Sequence, residues 1–254
     1  MPIVYIDPSA TNNGDGTTYT QAASPGGVGA KNTWSGLTFT AGNTYLQRSG
    51  TTYAATIQVN AGGTYNFRNT GNISVLSCGT SFSNPFNWDS RFTITGNKTG
   101  FTVGNTTNSQ NVTISNAVNV SGPISVYGGN ITLSAGLKST RANSKIQIKA
   151  LGAISSGADS LTLQTNNGAM VLWSNANSTS GGGIWLANAN LTFNTANGST
   201  SQATGGGDLV FGGGSAVDAN GNPTGAAVSA GNTIVFNPAS AGNTLTSMYT
   251  GGGN

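Results

Sequence analysis

The chain has 254 residues, room for one large all-β domain or two small ones, and its 36% apolar content can bury a lean core. Nine Lys or Arg and six Asp are its only charged side chains, with no Glu and no His, whereas 39 Gly and 32 Asn make up over a quarter of it. That composition argues against a charge-rich cytosolic enzyme, the scarcity of helix formers argues against a helical protein, and no apolar run reaches the 18 residues of a membrane span.

The N-terminal stretch "MPIVYIDPSA" lacks the charged and apolar regions of a secretory leader. The turn residues that follow hold Asp7, Asn12, Asn13 and Asp15 within nine positions, enough oxygens for a hard cation such as calcium. The spacing is not that of an EF-hand loop, and Asx side chains bonding local backbone explain the cluster without a metal. No cofactor is expected, with calcium as the alternative.

Further on, apolar pairs separated by one residue recur: Ile57 with Val59, Tyr65 with Phe67, Ile73 with Val75, Phe92 with Ile94, and Phe101 with Val103. The stretch "NVTISNAVNVSGPISVYGGNITLSAG", residues 111 to 136, repeats the unit four times as Val112–Ile114, Val118–Val120, Ile124–Val126 and Ile131–Leu133. Later pairs are Ile146–Ile148, Leu161–Leu163, Ile184–Leu186, Leu191–Phe193 and Leu209–Phe211. One intervening residue puts both members of a pair on one face of a strand. Strands this short, with three or four residues between them, suit a chain that bends at each Gly or Asn and stacks on its next turn, which is the parallel β-helix with the pairs inside.

Three pairs per turn make Val112 to Ile131 one turn and Phe92 to Val112 another. About 20 residues per turn gives roughly 10 to 12 turns. The segments Trp173–Gly183 and Gly212–Gly225 are too long for corners and read as loops leaving the coil. No shift in composition marks a boundary, so a single domain over 1–254 is expected, with an N-terminal lead-in over 1–56 and helix turns over 57–250.

Two stretches resemble known families. "IVYIDPSATNNGDGTTYTQA" with "LTFTAGNTYLQRSGTTYAATIQV", about Ile3 to Val59, is similar to the N-terminal region of right-handed β-helix repeat proteins of the pectate-lyase type. From about Asn111 to Phe211, "GGNITLSAG", "GAISSGADSLTLQTNNGAM" and "ANANLTFNTANGS" resemble filamentous-haemagglutinin-type surface proteins exported by two-partner secretion. Both resemblances imply a right-handed β-helix. The first implies that an enzyme would carry a carboxylate cluster with Ca²⁺ and an Arg or Lys base, or paired Asp; the second implies an adhesin or filament stalk.

The acids do not form a recognisable catalytic set. Asp7, Asp15, Asp89, Asp159, Asp208 and Asp218 all lie more than seven residues apart, whereas paired carboxyls must come within about 5–10 Å. Asp15 and Asp218 sit in turn chemistry. Catalytic and metal-binding residues are therefore expected to be none, and zinc is disfavoured by the missing His and the lone Cys78, which reads as a small buried residue. Lys138, Arg141, Lys145 and Lys149 cluster without interleaved aromatics, so nucleic acid is not an expected partner. Sequons such as "NVT" and "NIT" are common by chance in such a composition. Trp34, Trp88, Trp173 and Trp185 are candidate sugar platforms, and Trp185, between Ile184 and Leu186, is expected to face outward.

The expectation is an extracellular structural or adhesive β-helix at a cell surface or in a filament, without catalysis; the alternative is a glycan-binding or polysaccharide-lyase-like β-helix of the phage tail-spike kind, carried on a virion. The partners expected are surface glycans and further turns or copies of the chain itself. Strand Ile3–Ile6 would offer the surface for end-to-end stacking onto the uncapped segment before "GGGN".

Overall fold

A strand whose apolar residues stand two apart has one face to bury and one to leave in water, and the fold solves this by stacking such strands in register. The computed structural model describes residues 2–38, 40, 43–48, 57–59, 66–69, 86–88, 92–94, 100–158, 160–179, 181–186, 190–199, 205–225, 234–236 and 246–251. Among them there are strands and turns but no helix.

The N-terminal sheet is parallel, with β1 (Ile3–Ile6) beside β2 (Thr44–Gln47) and β2 beside β4 (Asn66–Asn69). Strand β3 (Ile57–Val59) pairs with β6 (Phe92–Ile94). Three larger parallel stacks follow. The first runs through β7 (Phe101–Val103), β10 (Ile124–Gly128), β13 (Ile146–Ala150), β16 (Met170–Ser174) and β19 (Leu209–Val217), and ends in β20 (Pro223–Gly225), which returns antiparallel. The second holds β5 (Phe86–Trp88), β8 (Val112–Ile114), β11 (Ile131–Leu133), β14 (Ile154–Ser156), β17 (Ile184–Trp185) and β21 (Ile234–Val235). The third holds β9 (Val118–Val120), β12 (Leu137–Ala142), β15 (Ser160–Asn166), β18 (Asn190–Asn194) and β22 (Thr246–Tyr249). From β7 to β16 each strand pairs in parallel with the strand three further along the chain, so the chain visits the three stacks in a fixed order.

Register lines the pairs up across circuits. Val112, Ile131, Ile154 and Ile184 form one inward column, Phe101, Ile124, Ile146 and Met170 another, and Val118, Leu137, Leu163 and Phe193 a third, all buried. Each side chain so buried contributes about 1.5–3 kcal/mol. The pairs of residues 111–136 are thus inward without exception, and no antiparallel contact joins β8 to β9.

Three expectations need correction. The turn from Val112 to Ile131 is as read, but Val112 stacks on Phe86, not Phe92, and Phe92 stacks on Ile57. Circuits also lengthen toward the C-terminus: the paired neighbours Ile184 and Ile234 are 50 positions apart, well beyond the turn of about 20 residues read from the pairs. Lastly, Gly212–Gly225 is not a plain loop: most of it is a β19–β20 hairpin closed at Asp218–Asn222, where Asp218 N–H donates to Asn222 O. The start of Trp173–Gly183 is likewise buried, because Val171, Trp173 and Ala176 pack with Leu151 and Val210 as a second apolar cluster apart from the main core. The pair Ile73–Val75, Tyr65 and Cys78 lie outside the described residues.

The two ends differ. On the side of β1 away from β2, Tyr5 N–H donates to Gly16 O, Lys31 N–H to Tyr5 O and Asp7 N–H to Lys31 O, so the 14–31 segment already occupies that edge. At the other end the inward column stays open. Ile234 is 41% exposed although its register partner Ile184 is fully buried, and Met248, stacked on buried Phe193, is 44% exposed. Phe193, Phe211 and Phe236 meet edge to face there, with centroids 5.1 to 6.0 Å apart.

Candidate functional site

Asp7, carried just past β1, is buried, accepts from Ser9 N and Ser9 Oγ, and meets Arg48 Nη1 at 2.8 Å. Asp15 accepts from Thr17 N, Thr17 Oγ1 and Gly29 N. Asn13 Oδ1 accepts from Asn32 N, and Asn12 Nδ2 donates to Ala22 O. The four side chains considered for calcium are thus each committed to a different local partner. Asp218 closes its hairpin by accepting from Asn220 N and Asn222 N. Asp89 and Asp159 lie outside the described residues, and among the described residues no three His, Cys, Asp or Glu side chains gather.

Burial pushes the Asp7 carboxyl up, but the hydrogen bonds from Ser9 and Arg48 outweigh it and hold the group below its ordinary 3.8. Its stabilising contribution is then full above about pH 4 and is lost as pH falls through the lower folded value. Amide exchange in residues 5–31 is expected to speed up selectively below that pH in the wild type, and to lose this acid step in Asp7→Asn. A pH-independent N-terminal segment in the wild type would contradict the assignment.

The four bases do not make one patch. Lys138 and Arg141 lie exposed on β12, in the third stack, while Lys145 and Lys149 lie half-buried at β13, in the first. Lys149 Nζ sits 3.6 Å from the centroid of the Trp173 ring, beside it in register, and burial lowers the pKa of the ammonium.

Of the four Trp, three are structural. Trp34 is buried and donates to Gln47 Oε1 at 2.7 Å, Trp88 packs edge-on against Phe101, and Trp173 is roofed by the hairpin and donates to Gly214 O at 2.7 Å. Trp185 alone is open, 52% exposed, while Ile184 and Leu186 on either side are buried, as alternation requires.

Beside the strand that carries Trp185, the corner between the first and second stacks opens into a groove of about 290 Å³. Its walls include Asn111, Asn130, Asn177, Gly129, Gly152 and Gly181. Successive circuits reach this corner with glycine for a steric reason. A Cβ on Gly129 would strike Ser109 O, one on Gly152 the Asn130 side chain, and one on Gly182 the Gly152 carbonyl. Asparagine ties the rungs together: Asn111 Oδ1 accepts from Asn130 N at 3.0 Å and Asn130 Nδ2 at 3.2 Å, and Asn130 Oδ1 accepts from Ala153 N at 2.9 Å. The composition-led reading overlooked this ladder. Its signal is an Asn directly before a pair, in "NVTI" at 111–114 and "NITL" at 130–133, one circuit apart. The same two Asn open sequons, and the side-chain oxygen of Asn111 and both polar side-chain atoms of Asn130 are spent in holding the corner.

The arrangement presents neutral amide and hydroxyl groups in ordered rows, including Thr132 Oγ1 and Ser155 Oγ 3.2 Å apart on the outer face of the second stack. No protein-family model matches the chain, and no curated protein or solved structure matches it either.

Proposed function

We propose that the chain is a right-handed parallel β-helix serving as an extracellular structural or adhesive element at a cell surface or in a filament, without catalysis. One observation carries this reading: three parallel stacks visited in fixed order bury every pair of residues 111–136 and leave an outer surface of Thr, Ser, Asn and Gln with few charges. Such a surface meets another without long-range repulsion. Asp7, Asp15 and Asp218 use their carboxylates within turns or in one ion pair, which is structural employment. The whole of 1–254 acts as one domain in this reading. Resemblance to the two-partner-secretion surface proteins supports the cell-surface location, and a virion is the alternative.

Growth of the rod belongs at the C-terminal end, where Ile234 and Met248 are open, by further turns or by a second copy. The edge of Ile3–Ile6 away from β2 is already bonded to Gly16 and Lys31, so head-to-tail stacking on that strand is not part of the proposal.

A second reading, glycan binding in the manner of a tail-spike or lyase-like β-helix, is favoured by the groove beside the Trp185 strand. Two measurements separate them. Negative-stain microscopy of the purified chain is expected to show short rods, and incubation with polygalacturonate is expected to release no unsaturated uronate. Turnover abolished by a single Asp→Ala change would overturn the non-catalytic assignment, and globular particles would overturn the rod.

A further inference from the structure

We infer that the corner groove lined by Asn111, Asn130 and Gly152 binds an uncharged oligosaccharide, with the indole of Trp185 stacking on a pyranose ring. The inference rests on the adhesive reading above and names the ligand of that surface.

Three independent features converge. The first is shape: at Gly129 and Gly152 the circuits stack so closely that a Cβ would strike the neighbouring circuit, and the corner built there, lined also by Gly181, leaves about 290 Å³ open to solvent. The second is chemistry. The polar side chains are amides and a hydroxyl, with no ionised group on the walls among the described residues, so a phosphate or uronate would gain no partner from them while a sugar's hydroxyls would find both donors and acceptors. Asn111 fits this, since its Oδ1 is spent on Asn130 while its Nδ2 makes no bond among the described residues. The third is the exposed indole. Gly182 rests on Gly152 at the groove, and Trp185 follows three residues later, about 10 Å along the chain, facing outward and stacked in register on Ser155 of the preceding circuit. An indole 52% exposed on an otherwise polar face offers a flat apolar surface to the C–H face of a sugar.

A peptide is the poorer fit, because among the described residues Leu151 is the only apolar side chain on the walls. A nucleic acid is poorer still, because Lys145 and Lys149 stand on the first stack and none of the four clustered bases lines the groove.

The test is calorimetric titration of the full chain with cellohexaose, maltohexaose, chitohexaose and, as the charged arm, hexagalacturonate. Binding of at least one neutral hexasaccharide is expected, weakened about tenfold or more in Trp185→Ala and partly restored in Trp185→Phe. Asn111→Asp keeps the Oδ1 acceptor for Asn130 but replaces the amide donor with a charge, and it is expected to lose binding while keeping the wild-type melting profile. Neutral-sugar binding that survives both Trp185→Ala and Asn111→Asp overturns the site, and preference for hexagalacturonate overturns the ligand class. Failure of every arm overturns the proposal while leaving the rod, judged by microscopy, untouched.

Discussion

Replacing Ile124 by Asp is expected to unfold the central circuits. Ile124 is fully buried in the first stack, with Phe101 on one side and Ile146 on the other in exact column, and the surrounding core is aliphatic and aromatic. A carboxylate placed there has no cation to pair with, since the nearby bases Lys145 and Lys149 flank outward positions of the same stack. Burying it unpaired costs on the order of 4–5 kcal/mol or more, a large share of the stability of a domain. Ile124→Val, which removes one methylene, should cost only about 0.5–1.5 kcal/mol. Urea denaturation followed by far-ultraviolet circular dichroism checks both. An Asp variant as stable as the Val variant would mean that Ile124 does not face inward.

How much of this could be read from sequence depends on what an apolar pair encodes. It encodes a face, so the inward direction of Val112, Ile131 and their neighbours was legible, as was the outward direction of Trp185. It does not encode a partner. Nothing local distinguishes Phe86 from Phe92 as the residue beneath Val112, because the choice depends on how much chain the intervening loops consume. Polar inward positions break the pattern too. Ser139 stands inward on β12 because its hydroxyl donates to Gly122 O at 2.7 Å, and Thr165 is buried on β15 because its hydroxyl donates to Gly168 O. A buried hydroxyl with a backbone acceptor is cheap, so β12 and the end of β15 carried no apolar pair to announce them.

The outer surface was harder still. Trp173 and Lys149 are far apart in sequence and meet only because β13 and β16 are neighbours in register. The apolar cover over Val171 likewise depends on the hairpin, pinned where Ser215 N donates to Ser178 Oγ at 2.8 Å. The groove follows from the stacking of Gly and Asn one circuit apart, a relation that is visible in sequence only once the circuit length is known. Side-chain alternation is local and legible; whatever depends on which circuit lies next is not.

The corner glycines give the second large effect, and Gly104→Ala isolates it. Gly104 ends β7 with φ +71°, a left-handed conformation that costs an L-residue about 1–2 kcal/mol. A Cβ there would also overlap the Tyr127 carbonyl oxygen of the next circuit and lie 3.0 Å from Asn108 Nδ2. That carbonyl accepts the Asn108 amide at 2.9 Å, and Asn108 is fully buried, so displacing either group breaks a buried hydrogen bond worth about 1–3 kcal/mol. Gly26 supplies the comparison: its φ is +78°, yet a Cβ on it would meet nothing within 4 Å. Gly26→Ala should therefore cost only the backbone term of about 1 kcal/mol, and Gly104→Ala about 3 kcal/mol. Because the overlap lies between circuits, the Gly104 variant should also lose amide protection at both Asn108 and Tyr127, readable by hydrogen exchange. Equal losses in the two variants would show that close stacking at this corner contributes nothing, and the steric account of the glycine-lined groove would fall with it.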